Sequence, residues 1–235
     1  MKKVAFFVEG STELTFLVRL LQNILTENQF VIEMRSMRGS GRDITSLNIN
    51  RIGVIDENKR VFILVTDCGS DSTVKSYLLE ERESLIKSGY SVLIGLQDLY
   101  PLAKDEYRRL RDGLYYKAPQ VPIRVEFVIA VMEVEAWFIA EKSHFLRRDR
   151  RLTNEFIFEN LNLDLSTVPA EDILRPAETL RSIYQLVGGG YSKRSKQVER
   201  IINDLDYAEL YFNLSQTIPS LENMIGLINQ YVVAD

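Results

Sequence analysis

The apolar positions of this chain keep two different rhythms. In the first half, short unbroken apolar runs alternate with stretches where apolar residues recur every three or four positions. Val4-Ala5-Phe6-Phe7-Val8 is the first run, and its lack of polar breaks predicts a strand buried on both faces. Leu14, Leu17, Val18, Leu21, Ile24 and Leu25 then trace one helical stripe, predicting a helix over 12–27. Further strands are predicted at 30–34, 61–65, 92–98 and 123–132, with a helix over 73–88 and a charged helix or lid over 104–115. Gly89 closes the first of those two helices, and Gly95 inside its strand marks a bulge or a close backbone approach. The polar stretch 35–59, which contains Gly39-Ser40-Gly41-Arg42, reads as a loop followed by a short helix. After about residue 145 only the helical rhythm remains. Pro176 opens a helix carrying Leu180, Ile183, Tyr184 and Val187, Gly188-Gly189-Gly190 breaks it, and helices follow at 194–204 and 219–233. The pattern predicts an α/β core over 1–145, built on a mostly parallel sheet flanked by helices, and a helical C-terminal region over 146–235.

Composition narrows the chemistry. Apolar residues are 46% of the 235 and charged ones 26%, enough for both a sizeable core and a solvated surface. No segment reaches the ~18 unbroken apolar residues of a membrane span, and Glu9 interrupts the first apolar run too early for a signal peptide. A single cysteine, Cys68, excludes internal disulfides and fits a reducing cytoplasm. A single histidine, His144, argues against a His-based triad or a His-rich zinc site. A catalytic metal in this chain must therefore be held mainly by carboxylates, which favours Mg²⁺ or Mn²⁺. The net charge of -4 does not advertise nucleic-acid binding, although local charge can differ from the mean.

Carboxylates fall where such a site would need them. Glu9, Asp67 and Asp98 each stand at the end of a predicted strand, and Glu133 and Glu135 follow the last one. Parallel strands put their carboxyl ends on one edge, where ligands bind in open α/β sheets. A bland reading stands beside each functional one. Glu9 and Glu13 are also favourable charges at the start of a helix, and Asp67, Asp71 and Asp98 are also turn or cap formers. Glu133 and Glu135 share a face only if the strand continues. Basic candidates are Lys193 and Arg194, at a predicted helix start after the glycines, where backbone N–H groups and cations suit a phosphate. Arg147-Arg148-Asp149-Arg150-Arg151 and the sparser Arg35, Arg38 and Arg42 are either nucleic-acid contacts or solvated surface. Trp137 reads as core and His144 as surface. The P-loop spacing is absent, so the chain is not expected to hydrolyse nucleotides by itself.

The strand-Glu9-Gly10-Ser11-Thr12-Glu13 opening resembles the first motif of Toprim domains, found in topoisomerases, primases, small ribonucleases and overcoming-lysogenization-defect nucleases. In that family a strand-end glutamate and a later Asp-x-Asp pair handle a divalent metal. Glu9 matches the glutamate and Asp67 the first acid of the pair, while Asp71 stands two positions beyond the second, leaving one or two metals open. A closer resemblance is to small Toprim-like proteins encoded beside ABC-type ATPases in bacterial defence loci. It rests on Asp98-Leu99-Tyr100-Pro101, Glu133-Val134-Glu135-Ala136-Trp137 and Ser192-Lys193-Arg194, in the same order, over roughly residues 4–200. The resemblance implies a Toprim-like sheet and a Mg²⁺- or Mn²⁺-dependent endonuclease that acts in phage defence with an ABC-type ATPase partner. On that reading Glu9, Asp67 and Asp98 bind metal, with Asp71 and Glu13 as further candidates. Glu133 or Glu135 completes the shell or acts as base, and Lys193 and Arg194 hold phosphate. The nucleic-acid substrate stays open between DNA and RNA, tRNA included, and so does a homodimer; no membrane is expected. The alternative is a Toprim-fold docking or sensor subunit without catalysis, and a weaker third is a phosphotransfer or phosphohydrolase enzyme centred on Asp67.

Overall fold

The unbroken apolar runs become the middle of a sheet. Six strands form it: β1 (Lys2–Val8), β2 (Phe30–Arg38), β3 (Thr45–Ile52), β4 (Val61–Asp67), β5 (Val92–Asp98) and β6 (Arg124–Ala130), in the spatial order β3-β2-β4-β1-β5-β6. The computed structural model describes residues 1–38, 45–193 and 195–234; Gly39-Ser40-Gly41-Arg42 and Arg194 lie outside them. β1 runs parallel to β4 on one side and to β5 on the other, and β4 runs parallel to β2. With paired strands on both flanks, Val4 to Val8 are all fully buried, and so are nearly all residues of β4 and β5. Each buried Phe or Val of such a strand contributes roughly 1.5–3 kcal/mol of hydrophobic stabilisation. The architecture is thus α/β, with a mostly parallel sheet, flanking helices and a helical C-terminal region.

The segment 45–52 differs from its sequence reading: it is a strand, not a loop and short helix. It pairs antiparallel with β2 at the sheet edge and is exposed from Thr45 to Arg51, with Leu47 and Ile49 about half exposed. Leu47 and Ile49 alternate with Ser46, Asn48 and Asn50 at strand period, a short signal diluted by the polar residues around it. Charge helps hold the strand. Glu33 of β2 accepts from Arg51 Nε at 3.2 Å and Nη2 at 2.5 Å, and from Arg35 Nε at 2.9 Å. Burial alone would push the Glu33 carboxyl up, but the two arginines together hold it below its usual range.

After β1 the chain crosses through α1 (Ser11–Ile24) to β2, beyond β4; after β4 it crosses through α2 (Val74–Lys87) to β5, beyond β1. Right-handed crossovers in opposite directions put these helices on opposite faces, so the carboxyl ends of β1 and β4 form a topological switch point. Val8 and Asp67 are in register there. Gly95 turns out to mark a close approach: a Cβ at that position would lie 2.7 Å from the Phe127 ring and 3.2 Å from Val74 Cγ1.

The chain forms two compact units: residues 1–97, 106–129 and 226–235, and residues 98–105 and 130–225. The first contains nearly all of the sheet with α1, α2 and α3 (Tyr107–Tyr115). The second contains α4 (Glu135–Ala140), α5 (Ser143–Arg148), α6 (Asn154–Leu161), α7 (Pro176–Gln185), α8 (Ser195–Asp204) and most of α9 (Pro219–Ile228). Within it α4 and α6 pack on α7, and α5 packs on α8. Trp137 of α4 is fully buried, as its sequence context predicts, and its indole Nε1 donates to Ser220 Oγ at 2.9 Å. Among the described residues, no helix is long and apolar enough to cross a membrane.

Candidate metal centre

Three carboxylates from distant points of the sequence meet inside the second unit. Asp98 closes β5, while Glu133 and Glu135 lie where β6 gives way to α4. The turn between β6 and α4 is made at Met132, whose φ of 64° lies in the left-handed region that disfavours a side-chain-bearing residue by roughly 1–2 kcal/mol. It is held by Tyr100 N donating to Met132 O at 2.8 Å and Leu99 N donating to Ala130 O at 2.9 Å. With the pleat interrupted there, one oxygen each of Asp98, Glu133 and Glu135 comes within 4.8 Å of the others, all three residues being buried.

Each carboxylate is fixed through one oxygen. Asp98 Oδ1 accepts from Val134 N at 3.1 Å. Glu133 Oε2 accepts from Ala177 N at 2.9 Å, in the first turn of α7, whose own N-cap Arg175 offers no side-chain cap. The helix N-terminus also favours that negative charge. Glu135 Oε1 accepts from Tyr191 OH at 2.6 Å. Lys193 then brings its ammonium to 3.1 Å from Glu133 Oε1, 3.6 Å from Glu135 Oε1 and 3.9 Å from Asp98 Oδ2. Glu135 Oε2 is buried and has no hydrogen-bond partner among the described residues.

Burial is the main force on Glu135: it pushes the carboxyl up. Lys193 pulls it down, Glu133 pushes it up again, Tyr191 pulls it down, and the net shift is upward. Three buried carboxylates offering oxygen donors have the chemistry that hard divalent cations select. The donor set therefore fits Mg²⁺ or Mn²⁺, with Lys193 already supplying part of the positive charge.

Glu9, Glu13, Asp67 and Asp71 belong to the first unit. Glu9 follows Val8 and is half-buried, directly beyond the switch point. Asp67 is buried, and its Oδ1 accepts from Gly69 N at 2.8 Å, a turn-forming bond. Glu13 is buried in the first turn of α1, and Asp71 opens the short 3-10 turn Asp71–Thr73. Much of the arginine run is engaged within the chain. Arg147 lies 3.6 Å from Glu141 and 3.5 Å from Asp206, Arg148 3.8 Å from Asp204, and Arg151 2.8 Å from Asp149.

His144 is not the surface residue its charged neighbours suggest. It is fully buried, with Nδ1 bonded to the Glu141 carbonyl oxygen and its ring 4.0 Å from that of Phe145. Burial pushes its pKa down to about 4. Sequence reasoning also passed over Tyr191. Its position two residues before Lys193 was the available signal, because a phenol beside a lysine in a glycine-led loop can orient a carboxylate.

No family model matches the chain, and neither a curated protein nor a solved structure matches it.

Proposed function

We propose that this chain is a divalent-metal-dependent nuclease in which Asp98, Glu133 and Glu135 hold Mg²⁺ or Mn²⁺ and Lys193 contacts the phosphate. The observation that carries this reading is the buried carboxylate trio, whose Glu135 Oε2 has no partner among the described residues. When bound there, such a cation would polarise a phosphoryl oxygen and make an attacking water more acidic. The chain supplies the rest. Val134 N and Ala177 N hold Asp98 and Glu133 in place, so their second oxygens are aimed before a ligand arrives. Lys193 is 45% exposed, which leaves its ammonium able to move from the carboxylates onto a phosphate oxygen and offset charge developing there. Tyr191 OH holds Glu135 Oε1, leaving Oε2 as the oxygen that would face the cation.

The substrate class on this reading is a phosphodiester of DNA or RNA, with tRNA among the candidates. The Toprim-like resemblance supports that class, and it also supports metal-binding roles for Glu9 and Asp67, an ABC-type ATPase partner, a role in phage defence and a cytoplasmic setting. Incubation with DNA and with total RNA in Mn²⁺ tests the activity, comparing wild type with Glu135→Gln and Glu9→Gln. Calorimetric Mn²⁺ titration of the same proteins and of Asp98→Asn tests the site. Binding lost in Asp98→Asn and Glu135→Gln supports the trio as the centre. Absence of Mn²⁺ binding in wild type sinks it.

The second reading is a docking or sensor subunit in which the trio is structural. Lys193 favours it, because an internal ammonium already compensates these acids. A wild type that neither binds Mn²⁺ nor cleaves, yet binds an ATPase partner, would select that reading.

A further inference from the structure

Tyr191-Ser192-Lys193 follows the glycine run 188–190, and its first two residues are tethered to neighbouring helices. Arg181 Nε of α7 donates to Tyr191 O at 3.0 Å, and Ser192 Oγ lies 2.8 Å from Gln197 Oε1 of α8, to which it donates. Tyr191 is also buried, with its hydroxyl on Glu135. Motion at this point is therefore left to the Lys193 side chain, a half-exposed ammonium on a four-carbon stem.

That ammonium is shared by all three acids, at 3.1 Å from Glu133, 3.6 Å from Glu135 and 3.9 Å from Asp98. The acids do not depend on it for their placement. Asp98 Oδ1 keeps Val134 N, Glu133 Oε2 keeps Ala177 N and Glu135 Oε1 keeps Tyr191 OH wherever the Lys193 side chain goes. A divalent ion held by the same acids would draw on the negative charge that Lys193 compensates, and two cations sharing one buried cluster repel. A phosphate oxygen accepts from an ammonium as well as a carboxylate does, so a phosphodiester offers Lys193 another partner.

We infer that Lys193 couples metal binding to substrate binding: its ammonium competes with divalent ions for the trio until a phosphodiester takes it up, so each ligand strengthens the binding of the other. The inference rests on the metal reading proposed above and adds regulation to it. The two states are distinguished by one side chain, on the acids or on the phosphate. By linkage, the gain in metal affinity caused by the phosphodiester equals the gain in phosphodiester affinity caused by the metal.

The test is calorimetric Mn²⁺ titration of the full chain with and without dimethyl phosphate, the heat of mixing the two ligands being subtracted. Wild type is compared with Lys193→Met, which keeps the reach without the charge, and with Lys193→Arg, which keeps the charge. Without dimethyl phosphate, Lys193→Met is expected to bind Mn²⁺ about fivefold tighter than wild type or more, while Lys193→Arg stays close to wild type. Dimethyl phosphate should tighten Mn²⁺ binding by about fivefold or more in wild type and by less in Lys193→Met. Melting curves verify that each protein is folded at the titration temperature, and Lys193→Gln replaces Lys193→Met if that variant is not. Equal Mn²⁺ affinity in wild type and Lys193→Met, or equal tightening by dimethyl phosphate in both, overturns the coupling and leaves the metal centre standing. A Lys193→Arg that binds as tightly as Lys193→Met traces the effect to lost fit rather than lost charge, and overturns it too. If no protein binds Mn²⁺ under either condition, the metal reading itself fails and the coupling falls with it.

Discussion

Lys193 Nζ lies 3.1 Å from Glu133 Oε1, and this pairing places a flexible, half-exposed cation over carboxylates that the fold has buried. Lys193→Ala removes that cation while the acids stay buried. Breaking a buried pair costs about 3–5 kcal/mol, and the exposure of Lys193 reduces the expected loss to about 1–2 kcal/mol. The variant should melt earlier than wild type in EDTA. Millimolar Mn²⁺ should close most of that gap if the trio is a cation site, as read by thermal unfolding of both proteins with and without the metal. A gap that Mn²⁺ leaves unchanged argues for the structural reading.

Glu133 has a second task at the start of α7, where its Oε2 stands in for a missing cap. Losing a cap costs roughly 1 kcal/mol. Glu133→Ala should therefore speed amide exchange in the first turn of α7 by about fivefold or more, by the same free energy. Glu133→Gln keeps an acceptor oxygen and should preserve most of that protection while abolishing Mn²⁺ binding. Hydrogen exchange and titration on the same two proteins separate the cap from the charge.

The buried His144 makes stability depend on pH. Its pKa is about 4 in the fold against an ordinary 6.5, so between those values the unfolded chain binds the extra proton. Stability from keeping the imidazole neutral is complete above pH 6.5 and is lost as pH falls toward 4, amounting to about 3 kcal/mol over the window. Glu141, raised by burial, works in the opposite sense as pH falls. The histidine effect is therefore read as a difference: urea midpoints of wild type should drop more from pH 7 to pH 4.5 than those of His144→Gln. Parallel pH profiles for the two would count against it.

Gly95 has no room for a methyl group, since a Cβ would sit 2.7 Å from the Phe127 ring. Gly95→Ala should destabilise by about 1–3 kcal/mol, the usual range for overpacking. Pairing it with Phe127→Leu frees space at the same point. The double variant should lose less than the sum of the singles, as chemical denaturation can measure.

The sequence disclosed the sheet where burial leaves a one-dimensional trace. β1, β4 and β5 are unbroken apolar runs because each is covered on both faces. β3 left only the short alternation of Leu47 and Ile49 with polar residues: its side chains are wet, and it is held by pairing with β2 and by Arg51 reaching Glu33. The acids were visible as residue types at strand ends, but their grouping was not. Whether Glu133 and Glu135 meet Asp98 depends on the left-handed turn at Met132, which no periodicity announces. His144 misled for a related reason, as Lys142, Ser143 and Arg147 around it are polar while its own position on α5 faces the core.

The glycine run before Lys193 and the main-chain anchors on Asp98 and Glu133 divide the centre into a fixed part and a swinging part. The fixed oxygens cannot retreat without undoing helix and strand ends. The ammonium rides on four methylenes and can depart by rotation about single bonds, a motion of picoseconds to nanoseconds. On the reading proposed above, the chain carries its own removable counter-ion, and entry of a divalent ion is the replacement of one cation by another.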